Sequence, residues 1–181
     1  MKNIVLIFLV TLLLRDGESP YKPVDNKSSV SFKVKTFGIN VAGMFTRLDG
    51  TILFDPNDLN ESKFDVTIDA NTVNTDNSLR DDHLRSDAFF DVKNYPRIQF
   101  ASTRIVPSTK KGVLLIYGRL SIKNQTKEIS FPFIAEESTG GYLFKGTFTI
   151  NRKDFGVGET SIMSDAVAVS LNVFAMKQHK L

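Results

Sequence analysis

Apolar and polar residues alternate with a period of two along much of the chain. Val30, Phe32 and Val34 are interleaved with Ser31, Lys33 and Lys35, and Phe64, Val66, Ile68 and Ala70 with Asp65, Thr67 and Asp69. Successive side chains on a strand point to opposite faces, so such runs predict strands with one buried and one wet face. Between them the phase slips: Phe45 falls on an odd position, whereas Leu48, Ile52 and Phe54 fall on even ones. A slip within one run predicts a bulge or a sharp bend, which curls a sheet.

Asp55-Pro56-Asn57-Asp58 is turn chemistry and ends that run. From Thr75 to Asp91 the strand period is lost. Thr75 or Asp76 is the expected cap of a short helix carrying Leu79, His83 and Leu84, with Ser86-Asp87 opening a second turn. Beyond Pro96 the alternation returns, predicting strands over residues 97–105, 113–122, 126–134, 142–151 and 165–176. The links carry turn residues, as in Lys110-Lys111-Gly112, Lys123-Asn124-Gln125, Ser138-Thr139-Gly140-Gly141 and Phe155-Gly156-Val157-Gly158. Short links favour antiparallel neighbours. About eight such strands leave two bare edges unless the sheet closes on itself, so the fold expected is all-β, an antiparallel eight-stranded barrel with a short helical insertion around residues 75–91.

The expected inward positions include Phe32, Val34, Phe64, Ile68, Phe100, Phe131, Phe133, Phe144, Phe148 and Ile150. A barrel of this size is either filled by side chains or holds one slim ligand, and periodicity alone does not choose. Composition leans on that question: 15 Phe against 4 Tyr and no Trp put most aromatic surface in rings without a polar handle. The 181 residues suit one domain. A net charge of +3, with the basic residues scattered, gives no footprint for nucleic acid. The lack of cysteine excludes a disulfide scaffold, a thiolate zinc site and a cysteine nucleophile.

Met1-Lys2-Asn3 followed by the apolar run Ile4 to Leu14 has the pattern of a secretory signal, too short to span a bilayer. Residues 1–19 are therefore expected to be a signal peptide and residues 20–181 the folded domain, periplasmic or secreted. No small-residue pair precedes a junction near Ser19, so cleavage and interfacial anchoring both stay open.

His83 with Asp81, Asp82, Asp87 and Asp91 offers ligand types that suit zinc or manganese. Adjacent residues on a helix diverge by about 100 degrees, however, so neither a metal nor any other cofactor is expected. No G-x-S-x-G turn occurs, and Ser78 and Ser86 share the same short segment, so no catalytic residue is assigned and no enzyme is expected. The segment reads as a rim: Arg80, Asp81, His83 and Arg85 tie the insertion to the barrel, while Leu84, Phe89 and Phe90 point inward. Gly156-Val157-Gly158 reads as a turn, with Arg152 and Asp154 beside it as a rim salt bridge or a contact for a polar headgroup.

Several ordered motifs carry a family resemblance over roughly Tyr21 to Lys177: "VSFKVKTFG", "GMFTRLDGTILFDP", "IDANTVNTDNSLRDDHLRSDAFFDVKNYPRIQF", "GRLSIKNQTKEISFPF" and "INRKDFGVG". The chain resembles the YceI-like family of exported lipocalin-like barrels. That resemblance implies binding, storage or transport of a long-chain amphiphile, a polyisoprenoid or polyprenyl quinone, in an apolar cavity, with no established reaction. Phe32, Val34, Phe45, Phe64, Ile68, Leu84, Phe89, Phe90, Phe100, Phe131, Phe133, Phe148 and Ile150 are the expected ligand-lining residues. Arg80, Asp81, His83, Arg152 and Asp154 are the expected rim or structural polar residues. A transient membrane contact and a homodimer are compatible with this reading. Family members often carry a histidine where this chain has Thr36, so no role of that histidine transfers. The alternatives are an exported interaction domain with a filled core and a small enzyme using His83 and nearby acids.

Overall fold

The computed structural model describes residues 19–178, so the expected signal segment before Ser19, and His179, lie outside the described residues. The strands are β1 (Tyr21–Pro23), β2 (Ser29–Thr36), β3 (Ile39–Phe45), β4 (Asp49–Leu53), β5 (Lys63–Asp69), β6 (Arg97–Pro107), β7 (Leu114–Ile122), β8 (Gln125–Ser138), β9 (Gly141–Asn151) and β10 (Ala166–Lys177). One helix, α1 (Ser78–Arg85), lies between β5 and β6. Every ladder is antiparallel.

Pairing runs β1-β4-β5-β6-β7-β8-β9-β10 and returns from β10 to β1, which closes a ring of eight strands. Both β1 and β2 pair with β10, at residues 175–177 and 167–172 respectively, so they are two halves of one strand broken at the turn Asp25–Lys27. In the same way β3 pairs with β2 and β4 with β1 and β5. The phase slip read between Phe45 and Leu48 is therefore a corner at which the chain changes partners, not a bulge. Arg47, at φ 56°, makes the corner, and its guanidinium bonds Asp69 at 3.0 Å. The register shift among these ladders that the sequence did not signal lies between Ser102 and Arg104 in β6.

The two ends of the ring differ. At the end holding β1 and β4, Phe54 is 1% exposed and meets Phe64, Tyr142 and Phe144 edge-on at 6.2, 5.1 and 5.2 Å, while Tyr21 meets Tyr142 at 5.5 Å. These rings plug that floor. At the other end β3 and β5 share no ladder, and one backbone bridge, Met44 with Asn74, joins β3 to the chain after β5. Residues 70–96 cover that gap.

Within the cover, α1 starts one step later than read: the cap is Asn77, whose side chain accepts from the Arg80 amide at 3.0 Å. Thr75 is buried and instead donates its amide and hydroxyl to Asp81. Leu79, which the helix carries as expected, is 82% exposed. Leu84 and Phe89 are buried, and Phe45 meets Phe90 edge-on at 5.4 Å, so the apolar side of the cover does face the barrel.

Candidate functional site: an apolar cavity under a polar cover

Alternate residues of the ladders form rows across the inner wall. Val41, Val34, Val167 and Ile150 lie in register nearest the open end. Gly43, Phe32, Val169 and Phe148 make the next row, and Phe45, Val30, Leu171, Gly146 and Phe133 the one below. The rows enclose a cavity of about 590 Å³, within the range of small-ligand pockets, from the Phe64–Phe133–Phe144 floor to Phe37 and Ile162 at the mouth. Two rings inside it, Phe131 and Phe148, stack at 4.3 Å.

All the expected ligand-lining residues border this cavity. Phe32, Phe100, Phe148 and Ile150 are only half-buried although they point inward, because they face the cavity rather than packed neighbours. Phe32 reaches so far across that a β-carbon on Gly43 would lie 2.4 Å from its ring. A side chain at Gly43 and the ring of Phe32 cannot share that space. Thr36 borders the mouth.

The polar residues divide. Arg80 reaches the hydroxyl and carbonyl oxygens of Thr75 through Nε and Nη2, both at 2.7 Å, and borders the cavity. Among the described residues it has no carboxylate partner. Asp81 is buried and spends Oδ1 on Thr75, so it holds the loop before α1 and is no part of the cavity wall. Arg85 donates to the carbonyls of Asn71 and Val73, at 2.8 and 3.0 Å, stitching α1 to the turn that follows β5. His83 borders the cavity and meets Phe89 edge-on at 4.8 Å. Among the described residues no group of three or more His, Cys, Asp or Glu is placed to hold a metal ion.

The expected pair of Arg152 with Asp154 does not form. Arg152 is 3% exposed and bonds the carbonyls of Val157, Gly158, Ser161, Met163 and Ser164, with Asp165 as its carboxylate at 3.1 Å. The reason is local: the 3-10 turn Arg152–Phe155 leaves Asp154 exposed, while the chain returns to bring Asp165 O to the Arg152 amide at 2.9 Å. Arg152 is thus a structural residue at the edge of the cavity, the centre around which the 152–165 loop winds. The loop is fastened to the cover by Gly158 N donating to Ala88 O at 2.9 Å, and Lys123 donates to Asp87 O and Gly156 O, both at 3.0 Å.

Sequence reasoning missed the floor plug, Lys123 and the loop-winding role of Arg152. Phe54 carried a signal, since it follows a strand and precedes Asp55-Pro56, where the chain must cross the barrel end. Lys123 and Arg152 carried none, because backbone carbonyls as partners leave no mark in a sequence.

A family model described as a YceI-like domain matches residues 21–175. A UPF0312 protein of Shewanella denitrificans is 33% identical over 137 residues, covering 72% of this chain and 71% of the relative. One from Pseudomonas syringae pv. tomato is 32% identical over 168 residues, covering 86% and 87%. The crystal structure of Burkholderia cenocepacia BcnA superposes with a TM-score of 0.78 at 26% identity, covering 83% of this chain and 98% of that one. A polyisoprenoid binding domain from Saccharophagus degradans gives 0.72 at 16% identity, covering 87% and 98%, which is a likeness of fold. With the family model spanning the whole ring from β1 to near the end of β10, and relatives of this identity over most of their length, the chain belongs to the YceI-like family.

Proposed function

We propose that the protein binds and carries a long-chain amphiphile, a polyisoprenoid or a polyprenyl quinone, with its hydrocarbon in the barrel and its polar end at the cover, in the periplasm or outside the cell. The observation that carries this reading is the apolar cavity of about 590 Å³ above a floor of interlocked aromatic rings. A hydrocarbon chain gains about 0.8 kcal/mol per buried methylene, so such walls hold it without specific polar contacts. The name of the Saccharophagus degradans domain points to the same ligand class.

The polar end is assigned to Arg80 and His83. Of the charged side chains bordering the cavity, Arg152 is saturated by loop carbonyls and Lys145 is paired with Glu136 at 2.7 Å. Arg80 retains donors without a carboxylate partner among the described residues, which suits an oxygen-bearing headgroup. Binding rather than catalysis is proposed, because the cavity wall is apolar and the Thr75 hydroxyl beside Arg80 is taken up between Arg80 Nε and Asp81 Oδ1.

Mass spectrometry of organic extracts tests the proposal, comparing the exported wild type with Phe148→Asp, at a half-buried position that tolerates hydration. A stoichiometric long-chain isoprenoid or quinone, lost from the folded variant, is expected. Empty extracts from both, with no uptake of added isoprenoid, would instead favour the interaction-domain alternative.

A further inference from the structure

The open end of the barrel carries an unusual set of side chains. Phe37 is 78% exposed, Ile39 70% and Ile162 74%, and Phe37 and Ile162 also border the cavity. The hairpin and the 152–165 loop are fastened side by side, since Ser164 N donates to Lys35 O at 2.8 Å. These residues therefore form one apolar lip continuous with the cavity wall.

Phe37 occupies its place at a cost. It sits at φ 50° and Gly38 at φ 79°, the left-handed pair of a two-residue hairpin turn. The first of these positions suits Asn or Asp, and a bulky side chain there is an outlier. Neither burial nor turn geometry accounts for a phenylalanine at Phe37. A strained residue that points an aromatic ring into solvent is the mark of a functional position.

Charge supplies the third observation. Behind the tip, Lys33 and Lys35 are exposed, on the outward positions of β2, with no ion-pair partner among the described residues. Their ladder neighbours are Ala42 and Asn40 on β3, with Ala168 on β10, and none of these is acidic. Glu159 of the neighbouring loop reaches toward Gly156, 3.7 Å from where a β-carbon there would sit. An apolar tip backed by unpaired lysines matches the layered chemistry of an anionic bilayer, acyl chains first and headgroup phosphates behind.

We propose that this lip, Phe37, Ile39 and Ile162 backed by Lys33 and Lys35, docks the barrel mouth-down on an anionic lipid bilayer, so that the amphiphile moves between membrane and cavity without crossing water. The inference rests on the carrier reading for its purpose, while the surface itself is independent of what fills the cavity. A bilayer fits better than a protein partner because the apolar lip side chains carry no hydrogen-bonding group, and two of them, Phe37 and Ile162, border the cavity outlet itself. No helix among the described residues is long and apolar enough to cross a membrane.

The test is co-sedimentation of the purified exported protein with vesicles of equimolar phosphatidylcholine and phosphatidylglycerol, alongside titration with a soluble fluorescent farnesyl probe without vesicles. Phe37→Asn suits the left-handed turn, so its fold is held or stabilised, and Ile162→Ser alters an exposed loop position. Each is expected to weaken vesicle binding about tenfold or more, with probe binding unchanged. Lys33→Gln and Lys35→Gln are expected to weaken it about fivefold each, an effect that pure phosphatidylcholine vesicles and added salt abolish. Vesicle binding that is absent, or equal in wild type and Phe37→Asn, overturns the docking surface while probe binding keeps the carrier reading. Self-association of the wild type that Phe37→Asn removes, without vesicle binding, overturns it in favour of a second copy as occupant. Vesicle binding that depends on Phe37, with no probe bound, upholds the surface and overturns the carrier reading.

Discussion

The ring of Phe89 occupies the space a side chain on Gly158 would need: a β-carbon there would lie 2.5 Å from the ring. Gly158 also sits at φ 60°, where an L residue is strained. This contact joins the two loops that cover the open end. Gly158→Ala is expected to lower stability by about 1–3 kcal/mol, and to speed ligand release more than unfolding. Denaturant midpoints and stopped-flow release of a bound fluorescent isoprenoid check the two effects.

Arg152 is expected to resist conservative replacement. A planar fork serves several carbonyls at once, and lysine cannot do so with one ammonium. Arg152→Lys should cost on the order of 3 kcal/mol, since buried acceptors lose partners at about 1–3 kcal/mol each. Thermal melting measures the loss, and amide exchange should localise it to residues 152–165.

Ligand length should be set at the floor and one row above it. Phe54→Ala removes a plug ring and is expected to cost roughly 3–5 kcal/mol while deepening the cavity toward the β1 end. Gly146→Leu has the opposite effect, since a β-carbon there already lies 3.2–3.5 Å from its neighbours and the rest must extend into the cavity. Chain lengths of bound isoprenoids, read by mass spectrometry, should shift up for the first and down for the second.

Asp49 ties the β1 and β4 end electrostatically. The Gly50 amide, and then Lys22, hold its carboxyl below the ordinary carboxylate range. A depressed carboxylate contributes stability above its unfolded value, and that contribution is lost as pH falls through the folded value. Asp49→Asn should therefore be slightly less stable than wild type at neutral pH and equal to it in strong acid. The effect is small because both partners are more than half exposed. Denaturant midpoints at the two conditions decide it.

Much of the barrel was legible because alternation reports directly on which side of a strand is wet. The inward set, from Phe32 to Ile150, follows from parity alone. What parity cannot report is a change of partner. Phe45 and Leu48 look like one strand out of phase, and only the pairing of β3 with β2 and of β4 with β5 shows a corner. Polar roles were harder still. Asp154 is the near neighbour of Arg152 in sequence, but the turn at 152–155 makes Asp165 its neighbour in space. Phe37 was hidden for another reason: its parity is that of an exposed position, and an exposed phenylalanine is legible only once its backbone angle is known.

The unlike ends of the ring also determine where the molecule can breathe. Between β3 and the chain after β5, backbone pairing amounts to Met44 N with Asn74 O at 2.9 Å and Asn74 N with Met44 O at 3.0 Å. The neighbouring stitches are made by side chains, Thr72 to Thr46 and Arg47 to Asp69. Prying the mouth open there sacrifices this short seam and leaves the rest of the ring zipped. A hydrocarbon can therefore exchange through a local opening that costs far less than melting the barrel, which makes loading and global stability separately adjustable properties of the same fold.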